Sequence, residues 1–181
     1  SVKNLRKAFG SLVAVDGLSF EVDRGEVLGL LGPNGAGKST TILMMMGALV
    51  PDSGEVLIDG KQPTDPFART SLGLAPQSLA IYEDLSANEN LRFFGQIYNL
   101  CGIYLHERIE WALEFAGLME RQNDLVRTFS GGMKRRLNIA CGLIHEPKVV
   151  FLDEPTVGVD PQSRNHIFES VENLKRNGLT V

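Results

Sequence analysis

A Gly-rich loop, Gly32-Pro33-Asn34-Gly35-Ala36-Gly37-Lys38-Ser39, stands directly behind the apolar run Val27-Leu28-Gly29-Leu30-Leu31 and ahead of a helix-forming stretch at about 38–49. The spacing is G-x-x-x-x-G-K-S, and a strand before it with a helix after it is the context in which that spacing acquires a chemistry. Glycines let the backbone wrap an anion with its N–H groups turned inward, and the helix N-terminus adds the positive end of a dipole. Lys38 would set a point charge on the outer phosphates of a nucleotide, and Ser39 would offer its hydroxyl to Mg2+. The bland alternative is a Gly-rich turn that only joins strand to helix; the intact context weighs against it. The run 27–31 reads as a strand buried on both faces, the mark of a parallel sheet.

The rest of the chain suits such a fold. Its 181 residues match one domain, and 43% hydrophobic residues supply a core. Lys and Arg number 18 against 22 Asp and Glu, a net charge of −4. That balance excludes a strongly basic nucleic-acid binder and a highly charged disordered tail. Cys101 and Cys141 lie far apart, so neither a disulfide framework nor a zinc site of usual spacing is expected, and a reducing compartment is. No signal peptide is visible ahead of the first strand-like residues. The greasiest stretch, 41–50, is far short of the ~20 residues a membrane span needs, so membrane association would come through a partner.

The N-terminus alternates in strand style at 2–8 and 12–22, with a turn at Asp16-Gly17, and predicts an antiparallel set. Short strands follow at 55–58 and 71–75. The stretch 86–118 reads as helical, opened by a capping-box pair, Ser86 and Glu89. A second helix starts at Ser130, and Pro161 behind Asp160 opens a last one to about Arg176. Residues 178–181 resemble the beginning of a strand, which suggests a piece of a longer protein, because a buried strand ending abruptly leaves backbone groups unpaired.

Two further features carry chemistry. Val149-Val150-Phe151-Leu152-Asp153-Glu154 is an apolar strand ending in two acids, which a buried strand delivers to the ligand-binding edge of an open sheet. Asp153 can hold Mg2+ through water, and Glu154 is placed to take a proton from an attacking water. On the bland reading one acid is only a strand terminus or caps the next turn. Ser130-Gly131-Gly132 opens a helix and makes a second anion site; alone, it would read as an N-cap followed by two turn glycines.

Together these residues resemble the ATP-binding subunit of ABC transporters, over nearly the whole chain. Gly32, Pro33, Asn34, Gly35, Ala36, Gly37, Lys38 and Ser39, with the adjoining Thr40, are similar to the Walker A loop. Phe9 resembles the aromatic that stacks on adenine. Gln77, after Leu74-Ala75-Pro76, resembles the glutamine that contacts the metal and the attacking water and senses the membrane partner. Ser130-Gly131-Gly132-Met133 resembles the signature motif. The strand into Asp153 resembles Walker B, with Glu154 as the catalytic glutamate, and Val157-Gly158-Val159-Asp160 resembles the D-loop.

The resemblance implies an α/β fold over 1–181 as a single domain. It would comprise a P-loop NTPase core with a predominantly parallel sheet, an N-terminal antiparallel β subdomain and a helical subdomain at about 77–136, truncated at its C-terminal end. It implies ATP and Mg2+ as cofactors, with Ser39, Gln77 and Asp153 toward the metal and Ser130, Gly131, Gly132 and Asp160 toward nucleotide shared with a second ATP-binding domain. It also implies a membrane-spanning permease partner, no nucleic acid, and a place at the cytoplasmic face of the cell membrane. The segments Tyr82-Glu83-Asp84-Leu85-Ser86 and Met133-Lys134-Arg135-Arg136 are similar to those of drug, polysaccharide and lipid exporters.

Departures from the pattern are mild at Phe129 and Val159, where Leu is usual. The switch histidine falls beyond Val181, which implies poor turnover for the chain as it stands. His106, His145 and His166 read as surface or packing residues. Met44-Met45-Met46 and Cys141 read as core, Lys134-Arg135-Arg136 as a solvated helix face, and Phe93, Phe94 and Tyr98 as packing rather than a docking face. Two other functions are kept in view: a soluble ATPase of the same superfamily working on DNA or ribosomes, and a nucleotide-binding switch with little turnover. No guanine-reading N-K-x-D sequence is present.

Overall fold

The computed structural model describes all of residues 1–181. Strand β1 (Val2–Phe9) turns at Gly10-Ser11 into β2 (Leu12–Phe20), and β3 (Ser53–Val56) adds to the other edge of β1, so the antiparallel sheet runs β2-β1-β3. Its inward residues Val2, Leu5, Val15 and Val56 pack on Ile42, Met44 and Met45 of helix α1 (Lys38–Met45). The methionines are core, as expected. Helix α1 stops short of the expected 49 because Gly47 takes φ +68 beside the Pro63 backbone.

A one-turn helix, α2 (Pro66–Arg69), leads into β4 (Leu72–Ala75), which pairs parallel with β5 (Val149–Leu152) over their full length. Thr180 continues this sheet through a parallel bridge to Val149.

The run 27–31 departs from expectation: it is not a strand. A doubly buried strand needs a partner along its length, and here only Leu28 of the five makes a backbone–backbone bond, donating to Val181 O. Val181 N donates to Glu26 O, while Thr180 bonds Lys148 and Val150 on its other side. Beyond that short contact, 27–31 and β5 border an apolar cavity of about 750 Å³, and Leu31 is 96% exposed.

The expected single helical stretch at 86–118 is two helices, α3 (Ala87–Ile97) and α4 (Gly102–Ala116). Asn99 at φ +61 and Gly102 at φ +59 turn the chain between them. The capping box is present: Ser86 Oγ accepts from Glu89 N at 3.2 Å, and Ser86 N donates to Glu89 Oε2 at 2.8 Å. Helix α5 (Gly131–Leu143) closes this region, with Leu137, Ala140 and Ile144 meeting Leu91, Ile109 and Leu113 in one buried cluster.

The same α5 lies on β4. A Cβ on Gly142 would stand 2.5 Å from Leu74 O, and one on Gly73 would stand 2.3 Å from Gly142 O. Two glycines thus bring helix and strand into backbone contact. Helix α6 (Pro161–Arg176) packs Ile167 and Leu174 beneath β5, capped by Asp160, which accepts from Ser163 N at 2.9 Å.

Candidate functional site

Residues 32–36 form an exposed loop ending at Gly37, the N-cap of α1. Gly35 and Gly37 take φ +83 and +82, which L side chains rarely adopt. Gly37 is doubly fixed, because a Cβ there would lie 2.2 Å from Ala14 O on β2. No side chain caps the first turn of α1, so its N–H groups remain available to an anion. Lys38 curls back over the loop: its Nζ donates to Gly32 O at 2.9 Å and Pro33 O at 3.1 Å. Ser39 is exposed, and Thr40 half-buried, on the first turn.

The acids arrive from the sheet. Asp153 N donates to Ala75 O at 3.0 Å, so β4 and β5 end level and place Gln77 opposite Glu154. Gln77 Nε2 donates to Glu154 Oε2 at 2.9 Å, and Lys38 Nζ lies 3.4 Å from Glu154 Oε1. Glu154 holds φ +49, an uncommon backbone for a residue with a side chain, and one of the kind that clusters at functional sites. Lys38, Gln77 and Glu154 therefore converge from three separate elements. Asp153 and Lys38 line the same cavity.

No group of three His, Cys, Asp or Glu side chains could hold a metal by itself. Mg2+ keeps several waters and takes one or two protein ligands besides phosphate. Asp153, the Ser39 hydroxyl and the Gln77 amide oxygen suit such a sparse donor set.

The second group sits at the starts of α5 and α6. Ser130 Oγ accepts from Met133 N at 3.2 Å and caps α5. Gly132 is seated on the start of α6, where a Cβ would be 2.0 Å from Ser163 Oγ and 2.9 Å from Asp160 Oδ1. The Ser163 backbone and hydroxyl hold the Asp160 carboxyl below the usual carboxylate range. No hydrogen bond or ion pair joins Ser130, Gly131 or Gly132 to the loop at 32–39. Phe9 stands half-exposed at the tip of the β1–β2 hairpin, with Lys7 Nζ 5.7 Å from its ring centre.

A family profile described as ABC transporter matches residues 15–157. The chain belongs to the ABC transporter family. It is 48% identical to the linearmycin resistance ATP-binding protein LnrL of Bacillus subtilis, covering 99% of this chain and 58% of that protein. It is 44% identical to the Nod factor export ATP-binding protein I of Ralstonia nicotianae, covering 100% of this chain and 57% of that protein. Among solved structures, cbiO1 from Clostridium perfringens, part of the ABC transporter complex cbiONQ, superposes with TM-score 0.87 at 30% identity, over 99% of this chain and 74% of its own. An ATP binding subunit of an ABC transporter gives TM-score 0.84 at 32% identity, over 98% and 75% of the two chains. The chain thus spans under two thirds of the length of these two curated relatives.

One expectation about this ABC domain needs correcting. Of Lys134-Arg135-Arg136, none is a solvated side chain: Lys134 is largely covered, its side chain 16% exposed, and pairs with Glu83 at 2.6 Å. Arg135 is buried and donates to Pro76 O at 2.9 Å; Arg136 turns inward to Ala116 O. The buried Asn138 also donates to Pro76 O, at 3.2 Å, and accepts from Ala80 N at 2.9 Å. Sequence reasoning missed Arg135 and Asn138. Their spacing of three residues, on the helix face that also carries Gly142, was the available signal.

Proposed function

We propose that this ABC domain binds MgATP on residues 32–39 and hydrolyses it, working as a single domain with a helical part at about 77–136. The convergence of Lys38, Gln77 and Glu154 within 3.4 Å supports this reading. Lys38 exchanges the Gly32 and Pro33 carbonyls for phosphate oxygens. The α1 N-terminus and the loop amides hold the same phosphates, and Phe9 offers a ring to the base. Mg2+, when bound, offsets phosphate charge; Ser39 and Asp153, with Gln77, would hold it. Glu154 takes a proton from the attacking water on its carboxylate, and Gln77 orients both.

Ser130, Gly131, Gly132 and Asp160 belong to the face offered to a second ATP-binding domain. Ser130 at the start of α5 and Asp160 at the start of α6 stand on other elements than the loop at 32–39, which supports a head-to-tail arrangement in which each nucleotide is shared. The relatives named for export and resistance favour an exporter, with a membrane-spanning permease as the second partner and the cytoplasmic face of the membrane as the place of work. No helix here is long and apolar enough to cross a membrane.

The test is MgATP turnover against protein concentration. Turnover that climbs as the square of concentration, and falls ~10²–10⁴-fold in Glu154→Gln with nucleotide binding intact, is expected. Parent-level turnover in that variant would remove Glu154 from the mechanism.

A further inference from the structure

Pro76 immediately precedes Gln77, and its carbonyl is the only acceptor that α5 reaches twice with side chains. Arg135 Nη1 and Asn138 Nδ2 both donate to it, at 2.9 and 3.2 Å. Asn138 then closes the loop from the other side, because its Oδ1 accepts the Ala80 N–H at 2.9 Å. One buried amide thereby grips the chain just before and just after Gln77. Asn138 is 2% exposed and Arg135 6%, so both polar groups were taken out of water to make these bonds. Such burial is costly unless the bonds are made.

The grip is rigid at its other end as well. Gly73 and Gly142 put β4 and α5 in backbone contact. The helix that starts at Ser130 therefore holds both the strand leading to Gln77 and the loop that carries it. Through Gln77 the chain of bonds continues to Glu154, and from Glu154 to Lys38.

We infer that Asn138 and Arg135 are positioning residues: they clamp residues 76–80 to α5 and thereby set Gln77 against Glu154. A shift of α5 at its Ser130 end is carried to the Gln77–Glu154 pair through these three hydrogen bonds. The inference rests on the roles proposed above for Gln77 and Glu154, and its test separates the two.

The first measurement needs no nucleotide. Amide hydrogen exchange is followed at Ala80 in the full-length protein, as wild type, Asn138→Leu and Arg135→Met. The Leu variant keeps the branching at Cγ and loses both polar contacts of Asn138. The Met variant keeps the apolar stem of Arg135, loses one donor, and serves if the Leu variant does not fold. We expect exchange at Ala80 at least tenfold faster in Asn138→Leu, with Leu91 and Ala112 in the helical cluster unchanged. The milder Arg135→Met should move Ala80 in the same direction. Unchanged exchange at Ala80 in the variants that fold overturns the clamp.

The second measurement is a double-mutant cycle with Gln77→Ala, read as kcat and KM for MgATP. Misplaced catalytic groups cost up to ~10²-fold in rate, so Asn138→Leu should lower kcat by about that order at most and leave KM near the wild-type value. In the Gln77→Ala background the same substitution should cost nothing further. Equal losses in both backgrounds mean that Asn138 acts on stability alone, and overturn the positioning role. A wild-type protein that does not hydrolyse ATP refutes the proposed function instead, and the exchange rates then decide the clamp by themselves.

Discussion

Lys38 cannot be read from its sequence neighbours alone, because three acceptors claim it: the carbonyls of Gly32 and Pro33 and the carboxylate of Glu154. A phosphate has to outcompete all three, and the loop and helix amides make that possible by binding the anion alongside it. Lys38→Ala should therefore lose tight ATP binding; nucleotide titration would show it, and unchanged affinity would refute the loop assignment. Gly37 is equally exposed to a one-atom test. A Cβ at φ +82 and 2.2 Å from Ala14 O cannot be accommodated without moving β2. Gly37→Ala should cost about 2–3 kcal/mol, at the upper end for one strained residue, and chemical denaturation would measure it. The residue types at this site were open to sequence reasoning because each is demanded by chemistry: glycines at positive φ, a lysine at the helix start, acids at a strand end. Arg135 and Asn138 were harder to reach, because their three-residue spacing marks a polar helix face but tells a buried one from a solvated one only once the strand beneath it is known.

Among the elements, those with their own start signals matched the expectation. The Ser86–Glu89 box opens α3, and Asp160-Pro161 opens α6. Residues 149–152 form β5, and Glu154 after it meets Gln77 and Lys38. Elements defined by their neighbours did not match. Residues 27–31 have the composition of a buried strand, but pairing is a property of two strands, and only Leu28 finds its partner. The helical stretch at 86–118 breaks at Asn99, an L residue in the left-handed region that no periodicity announces. The most demanding contact between elements is the glycine pair of α5 and β4. Gly142→Ala would press a methyl to 2.5 Å from Leu74 O, and such overpacking typically costs ~1–3 kcal/mol. We expect a lower denaturation midpoint with an unchanged slope, since the packing and not the extent of the fold is altered.

For the molecule as a whole, pH acts through two histidines whose protonation folding disfavours. Burial holds His145, stacked on Tyr98 at 3.5 Å between ring centres, below the usual imidazole range, with the nearby Arg108 adding to the effect. Burial and Arg136 do the same for His166, against Glu169. The unfolded chain therefore binds protons that the folded chain refuses. Their contribution to stability is complete above the ordinary histidine value of ~6.5 and is lost as pH falls through that value toward the folded-state ones. Denaturation at pH 7.5 and at pH 5.5 should show the lower stability at pH 5.5, and His145→Phe should flatten the difference. A larger vulnerability lies along the cavity between 27–31 and β5. Of residues 27–31 only Leu28 makes a backbone–backbone bond, and Thr180 and Val181 stand between that run and β5 at one end. Unmatched strand edges recruit whatever extended backbone is at hand. Purified at high concentration, residues 1–181 should scatter light increasingly with time, and an extended apolar peptide added in excess should slow that growth by occupying the gap first.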